Sequence, residues 1–227
     1  MERLIFNDRF EAGRELAERL LSYRDQECIV LGIPRGGVLV GYELARALDC
    51  PLDVIVPRKL PIPWSPEAGF GAVMPDGTRV LNERMVEDLG LTQTQVDGIV
   101  TRVLAEIRRR ETLYRGLRPE PDLTNRVALL TDDGLATGYT MLAAIQAARK
   151  RSPKEIVVAV PVSPRGTARE VGRTADKLVV LHLSDAMFFA VAAFYHNFHD
   201  VPDAEVKQYL DRAAAEYAQQ HPERESA

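Results

Sequence analysis

Two adjacent carboxylates, Asp132 and Asp133, end an apolar run in the stretch "LLTDDGLATGYT". Like charges in contact repel each other more strongly as solvent is excluded, so this pair needs water, hydrogen-bond donors or a cation around it. Small and hydroxyl-bearing residues follow at the start of a helical pattern, namely Ala136, Thr137, Gly138, Tyr139 and Thr140. Free N–H groups at a helix N-terminus bind anions, so the run is either a phosphate cradle or an ordinary capped helix.

The spacing between the acid pair and this run suits a sugar phosphate. Carboxylates accept hydrogen bonds from vicinal hydroxyls, while the following loop would hold the phosphate on the same sugar. A metal pair is the alternative. No His or Cys is close in sequence, which argues against zinc. Mg²⁺ would be carried mainly by the phosphates of the ligand. The residues therefore favour the diol of a phosphorylated ribose.

Two further groups of residues could contact phosphate oxygens. Arg35, Gly36 and Gly37 interrupt the chain between an apolar run and a helical pattern. Arg58 and Lys59 stand near the end of a second apolar run. By itself, each group is also compatible with a simple turn or with two solvated charges at a strand end.

Apolar runs and helical patterns alternate along the chain. Five continuous apolar runs predict buried strands, at residues 28–33, 52–60, 126–134, 155–162 and 176–183. Apolar residues at helical spacing predict helices at 8–21, 38–48, 137–150, 164–172 and 203–220, with a further helix starting at the capping box of Thr92 and Gln95. We predict an α/β fold with a doubly wound, mainly parallel sheet of about five strands.

This fold class predicts where the polar loops lie. Ligands of such sheets bind beyond the carboxyl ends of the strands, at the topological switch point. The loops at 34–37 and 131–140 both follow strands. We therefore expect them to meet at one site.

Residues 61–77 differ from their neighbours. They are rich in Pro and Gly, include the only Trp, and show no sustained period. This pattern predicts a long loop, with a hairpin near residues 71–81; loops of this length are often lids.

Composition bounds the function classes. The 227 residues are 46% apolar and 27% charged, with a formal net charge of −4. We expect one domain, with a core at about 24–183 and a small hood from about 1–23 and 183–200. No overall positive charge favours nucleic acid, and no apolar run approaches the ~20 residues that span a bilayer. The charged start of the chain and two cysteines, read as free thiols, favour the cytoplasm.

One run resembles a known family. "VALLTDDGLATGYTM" closely resembles the 5-phosphoribosyl-1-pyrophosphate (PRPP) signature of type I phosphoribosyltransferases. The modest departure is Thr131, where the family usually has an aliphatic residue. "PRGG" is similar to the pyrophosphate loop of the family, which implies a cis peptide between Pro34 and Arg35. The resemblance covers about residues 24–183, and similar elements occur in uncharacterised bacterial phosphoribosyltransferase-like proteins.

"PRKLP", at residues 57–61, resembles the strand end before the mobile catalytic loop of adenine and orotate phosphoribosyltransferases. This implies that Arg58 and Lys59 contact the pyrophosphate. It also implies that a loop carrying Trp64, Glu67 and Phe70 closes over the substrate. Glu67 could act as a general acid or base, although a solvated side chain is the simpler interpretation.

The resemblance implies a reaction. A nitrogen nucleophile attacks C1 of PRPP and pyrophosphate leaves, with Mg²⁺ neutralising its charge. The transition state is expected to resemble an oxocarbenium ion, with Arg35, Arg58, Lys59 and backbone amides stabilising the departing charge. The family also implies a homodimer. The expected partners are thus PRPP, Mg²⁺ and a small nitrogenous acceptor.

The family pattern weakens where the base should bind. Ala136 stands where hypoxanthine-guanine enzymes have an acid, which argues against a straightforward 6-oxopurine enzyme. Aromatic residues of the expected hood could stack on a base or belong to a core: Phe188, Phe189, Phe194 and Tyr195. His196 and His199 lie near Asp200, but no third clear ligand supports a metal site.

Two alternatives stay open: a regulator that senses PRPP or a nucleotide without turnover, and a transferase whose acceptor is not a nucleobase.

Overall fold

Eight strands and seven α-helices make up the parts of the chain that the computed structural model describes, residues 5–116 and 118–222 without the side chains of Pro66 and Glu67. The strands are β1 (Cys28–Gly32), β2 (Leu52–Val54), β3 (Arg58–Ile62), β4 (Ser65–Val73), β5 (Arg79–Leu81), β6 (Val127–Thr131), β7 (Glu155–Pro164) and β8 (Lys177–Ser184). The helices are α1 (Arg9–Glu18), α2 (Gly36–Leu48), α3 (Glu83–Asp88), α4 (Gln93–Arg115), α5 (Tyr139–Arg149), α6 (Arg165–Gly172) and α7 (Asp203–Gln220).

A parallel sheet of five strands forms the centre, in the order β2-β1-β6-β7-β8. The chain moves outward from β1 to β2 and then returns to place β6 on the other side of β1. The strand order therefore reverses between β1 and β6, and this is the switch point at which ligands of doubly wound folds bind. The predicted fold class is confirmed.

Both faces of this sheet are buried, as its apolar strands predict. Along β1, Cys28 and Val30 point to one face, while Ile29 and Leu31 point to the other. Helices α1, α2, α4 and α7 cover the first face, and α5 covers the second. Asp8 caps α1 and accepts a hydrogen bond from the Glu11 amide at 2.8 Å, so the helix begins at Arg9.

The strand predicted over residues 52–60 is in fact two strands in two different sheets. β2 ends at Val54, and the Ile55 amide makes a further bond to the Gly32 carbonyl at 3.1 Å. Pro57 has no N–H group to continue the ladder. The chain then leaves the parallel sheet and starts β3, which belongs to a three-stranded antiparallel sheet in the order β3-β4-β5.

The prediction of a long loop at residues 61–77 is also wrong for most of that range. Nine of those residues form β4, which pairs with β3 through register shifts on either side of Pro61. The expected hairpin is confirmed, since β4 pairs with β5 across a short turn. Phe70 is completely buried in the core rather than placed on a lid. Proline, glycine and the irregular register hid the alternation of this strand in the sequence.

Candidate active site

The loops after β1 and β6 are in direct contact. A Cβ atom on Gly37 would lie 2.7 Å from the Thr131 carbonyl oxygen and 2.8 Å from Cα of Asp132. A Cβ atom on Gly36 would lie 1.9 Å from Oδ2 of Asp133. Only glycine fits at such close approach. The expectation that the two loops meet at one site is therefore confirmed.

The first loop has the backbone that the family resemblance implied. The peptide between Pro34 and Arg35 is cis. The Ile33 amide bonds to the Thr131 carbonyl at 2.8 Å, and the Gly37 amide bonds to the Ile33 carbonyl at 3.0 Å, so the loop is fixed at both ends. The guanidinium of Arg35 pairs with the carboxylate of Asp200.

The acid pair is held from an unexpected direction. Arg9 donates from Nε to Oδ2 of Asp133 at 2.8 Å, and the side chains of these two residues are only 6% and 16% exposed. The Asp133 amide donates to Oδ1 of Asp132 at 2.8 Å. The two carboxylates thus have different surroundings: Asp133 faces a cation, and Asp132 accepts a backbone hydrogen bond.

Residues 195–200, which we call the strap, lie against this acid pair. The Tyr195 hydroxyl donates to the Asp133 carbonyl at 2.6 Å. Arg9 donates from Nη1 to the His199 carbonyl at 3.0 Å, and its guanidinium carbon lies 3.8 Å from the centre of the Phe198 ring. The strap therefore joins α1 to the loop after β6.

Burial shifts the pKa of both acids in the pair. It raises the pKa of Asp132 well above its usual range, and the neighbouring Asp133 carboxylate raises it further. Burial also raises the pKa of Asp133, although the Arg9 guanidinium opposes the shift. For Tyr195, burial and then the Asp133 charge raise the pKa of the phenol. Arg9 pairs with Asp133, and hydroxyl donors or a cation beside Asp132 would favour its charged form.

The proposed phosphate loop stands next to this pair, at the start of α5. Gly138 has φ 81°, a left-handed conformation that favours glycine, and none of the described side chains makes a capping hydrogen bond to the helix. The N–H groups of the first turn have no partner within the helix, which is the arrangement that can bind an anion. Thr167 of α6 donates to the Ala136 carbonyl at 2.8 Å, which fixes the loop from the neighbouring helix. Ala136 and Thr137 are exposed, and Tyr139 and Thr140 are half-buried.

Arg58 and Lys59 lie in the antiparallel sheet, not at the end of a parallel strand. Arg58 pairs with Glu106 of α4 at 2.6 Å. Lys59 is exposed, and its aliphatic stem packs against Gly69 of β4. The contacts of Arg58 point to α4 rather than to the acid pair. The candidate Glu67 has its side chain outside the described part of the structure.

The aromatic candidates divide into two kinds. Phe194 and Tyr195 are buried with Phe6, which makes the core interpretation correct for both. Phe189 is partly buried against Phe194. Phe188 is 87% exposed in the segment that follows β8.

The imidazole candidates show no metal geometry. His199 contacts Glu205 at 3.2 Å. Within residues 5–116 and 118–222, no group of three or more His, Cys, Asp or Glu side chains is arranged to hold a metal ion.

The sequence predicted a hood from residues 1–23 and 183–200, which includes the strap, but it did not single out Arg9 or the contacts of the strap with the acid pair. A signal for Arg9 exists: it lies on the buried face of α1 with Ala12, Gly13, Leu16 and Ala17. A charged residue on the apolar side of an amphipathic helix indicates a buried partner. The sequence carries no comparable signal for the contacts of the strap, because they depend on how the chain returns to Arg9 of α1 from 190 residues away.

The fold and the site together define a class: a doubly wound α/β protein with an anion-binding loop and an acid pair at its switch point. The "Phosphoribosyl transferase domain" family matches residues 6–62 and 79–199. The chain belongs to this phosphoribosyltransferase family. No helix in residues 5–116 and 118–222 combines the length and apolar character needed to cross a membrane.

Relatives support this assignment. The chain is 43% identical over 215 residues to "Putative phosphoribosyl transferase MT0597" of Mycobacterium tuberculosis, which covers 95% of this chain and 48% of that protein. The chain thus spans about half the length of the curated relatives it matches. Its fold is similar to the crystal structure of TT1426 from Thermus thermophilus, with 36% identity, a TM-score of 0.75, and coverage of 91% of this chain and 97% of that one.

Proposed function

We propose that this chain transfers the 5-phosphoribosyl group of PRPP to a nitrogen acceptor and releases pyrophosphate. The C1–N bond forms, the bond from C1 to the pyrophosphate oxygen breaks, and the acceptor nitrogen loses its proton to solvent or to the leaving group. In this proposal the amides of residues 137–140 bind the 5-phosphate, Asp132 and Asp133 bind the ribose hydroxyls, and the loop with Arg35, Gly36 and Gly37 binds the diphosphate.

One observation carries this proposal. The Gly36–Gly37 backbone touches the acid pair, and the uncapped N-terminus of α5 begins six residues after Asp133. PRPP carries its diol between a 5-phosphate and a diphosphate at C1. The order of the three elements, anion loop, acid pair and second anion loop, supports a ligand with that arrangement of charges.

Mg²⁺ fits this site as an ion carried by the ligand. The raised pKa values of Asp132 and Asp133 indicate that two negative charges together are costly at this site, and a divalent cation on the diphosphate would offset that cost. When bound, the ion would shield the charge of the departing pyrophosphate. The protein itself contributes the carboxylates and the glycine amides.

Fewer observations bear on the acceptor, so we propose its chemical class rather than a particular compound. Ala136 leaves no acid in the phosphate loop to take a proton from a base. Met187 and Phe188, 91% and 87% exposed, lie just beyond the carboxyl end of β8. Such an exposed apolar pair suits a planar, weakly polar acceptor.

A second candidate is a regulator that binds PRPP without turnover. It is favoured by the Arg35 contact with Asp200, because a carboxylate already occupies the guanidinium that would contact the diphosphate. The lack of an acid at position 136 points the same way.

Release of pyrophosphate from PRPP and Mg²⁺, measured across a panel of nucleobases and amines, tests the proposal. We expect turnover with at least one acceptor and loss of about 100-fold or more in Asp133→Asn, since a charge-assisted pair of hydrogen bonds is lost. Tight PRPP binding by calorimetry with no turnover across the panel would support the regulator. If PRPP does not bind at all, both candidates fail.

Two finer parts of the proposal have other grounds: the family resemblance for the assembly, and the charged start of the chain with its two cysteines for the location. We propose a homodimer, which light scattering on the purified chain would test, and a cytoplasmic location, which fractionation would test. The activity of any longer protein that contains a chain like this one is a separate question, because the curated relatives are about twice as long.

A further inference from the structure

Arg9 lies at the junction of three parts of the site. Its Nε donates to Asp133 at 2.8 Å, its Nη1 donates to the His199 carbonyl at 3.0 Å, and its guanidinium lies over the Phe198 ring at 3.8 Å. The residue is only 5% exposed. A single side chain on α1 therefore contacts both the acid pair and the strap.

A guanidinium is suited to these three contacts together. Its planar fork offers two N–H groups in different directions and a flat face for an aromatic ring. An ammonium group is compact and presents no such face, so a lysine at this position could keep the charge but not the full set of contacts.

The acid pair has little freedom while Arg9 is in place. The Gly36 backbone lies against Oδ2 of Asp133, and a Cβ atom there would be 2.7 Å from Nε of Arg9. The Tyr195 hydroxyl holds the carbonyl of the same aspartate at 2.6 Å. Asp133 is thus restrained at its carboxylate by α1 and at its backbone by the strap.

The strap has a second connection to the N-terminal segment. The His196 and Asn197 amides donate to the Phe6 and Asn7 carbonyls, both at 2.8 Å. These bonds place the residues just before α1 beside the strap, so that Arg9 and the strap form one unit above the loop after β6.

We propose that Arg9 is a positioning residue for the ribose part of the ligand, holding the Asp133 carboxylate and the strap in the arrangement that accepts the sugar hydroxyls. This inference rests on the proposed function and deepens it. It goes further by assigning a role to a residue outside the loops that resemble the family signature. Loss of Arg9 should therefore lower the affinity for ligands that have a diol and leave the affinity for those without one unchanged.

Three probes separate the possibilities. PRPP with Mg²⁺ and ribose 5-phosphate contain the diol, whereas inorganic pyrophosphate with Mg²⁺ does not. We expect Arg9→Met to weaken the first two at least tenfold by calorimetry and to change pyrophosphate affinity less than twofold. The matched control is Arg14→Met, which removes an exposed guanidinium from the same helix that pairs with Glu43 at 3.4 Å. It should leave all three affinities unchanged.

Two further variants keep the test decisive if Arg9→Met does not fold. Arg9→Lys keeps the charge and should still lose severalfold in PRPP affinity. Phe198→Leu removes only the ring under the guanidinium and should show an intermediate loss. Amide hydrogen exchange at His196 and Asn197, without any ligand, should be faster in each variant than in Arg14→Met.

The outcomes are distinct. Equal losses for PRPP and pyrophosphate would show a merely structural role and overturn the inference, as would PRPP affinities of the Arg9 variants within twofold of Arg14→Met. If the wild-type chain binds pyrophosphate but neither diol ligand, the proposed function fails as well. Selective loss for the two diol ligands supports both.

Discussion

The Arg9–Asp133 and Arg58–Glu106 ion pairs have nearly the same length, 2.8 and 2.6 Å, in very different surroundings. The first lies at the switch point, with side chains 6% and 16% exposed. The second joins the antiparallel sheet to α4, with side chains 34% and 40% exposed. Solvent screens the second pair, while burial makes the first costly to break.

This difference distinguishes an ion pair of the candidate site from one that only joins two elements of the fold. In the buried pair, each partner also contacts other groups of the site, which fixes its position. In the exposed pair, water can replace either partner at little cost. Charge alone is therefore a poor guide to function in this chain. Contact with the residues of the candidate site itself is a better one.

The largest expected effect comes from Gly36→Ala. The added Cβ atom would lie 1.9 Å from Oδ2 of Asp133 and 2.7 Å from Nε of Arg9, so the buried pair must separate. We expect a loss of about 3 kcal/mol in unfolding free energy and no detectable PRPP binding. Urea unfolding followed by circular dichroism measures the first quantity.

The control for this prediction is Gly98→Ala. Gly98 lies inside α4, and within the described part of the chain nothing beyond its sequence neighbours and the helix backbone lies within 4 Å of an added Cβ atom. This variant should gain about 0.5–1 kcal/mol, because alanine favours helix more than glycine does. Similar stabilities for the two variants would show that the close packing at Gly36 is not what holds the site.

A second prediction concerns pH. Burial and the Asp133 charge raise the pKa of Asp132 in the folded chain above its unfolded value. The folded state therefore binds this proton more tightly, and its stabilising contribution is lost as pH rises through the folded pKa. The unfolding free energy of Asp132→Asn should exceed that of wild type by about 1 kcal/mol at pH 7.5, and this difference should vanish below about pH 4.

For Asp185→Asn we expect a change in stability of the opposite sign at neutral pH. Its hydrogen bond with Arg165 lowers the pKa of the exposed Asp185 carboxyl. Wild type should then be slightly more stable than this variant at neutral pH, and the difference should disappear in acid. Thermal unfolding from pH 4 to 8 compares the two. A parallel pH dependence in both variants would contradict the assignment of buried and exposed acids.

Thr167→Val is expected to have a smaller effect. It removes the hydroxyl that donates to the Ala136 carbonyl at 2.8 Å and keeps the shape of the side chain. We expect a loss of about 1 kcal/mol in stability and severalfold weaker ribose 5-phosphate binding. Thr167→Ser keeps the donor and should retain most of that affinity. Equal affinities for the two variants would show that the hydroxyl does not order the loop.

These comparisons show what the sequence could predict. The loops after β1 and β6 were predictable, because continuous apolar strands indicate a parallel sheet and topology then brings the strand ends together. Arg9 was not predicted, although its place on the buried face of α1 was readable. The hairpin of β4 and β5 was predicted, but the pairing of β3 with β4 was missed because Pro61 and the glycines of β4 break the alternation that marks a strand.

Arg58→Met is the smallest and most discriminating change. Its matched control is Arg79→Met, since Arg79 of β5 also pairs with a carboxylate of α4, Asp97, at 2.9 Å. Both variants should lose less than about 1 kcal/mol in stability, because exposed ion pairs contribute little. If Arg58 also contacts the departing pyrophosphate, only Arg58→Met should lower the rate of pyrophosphate release, by about tenfold or more. Equal rates in the two variants would make Arg58 part of the scaffold, and charge stabilisation would then rest on Arg35 and the glycine amides.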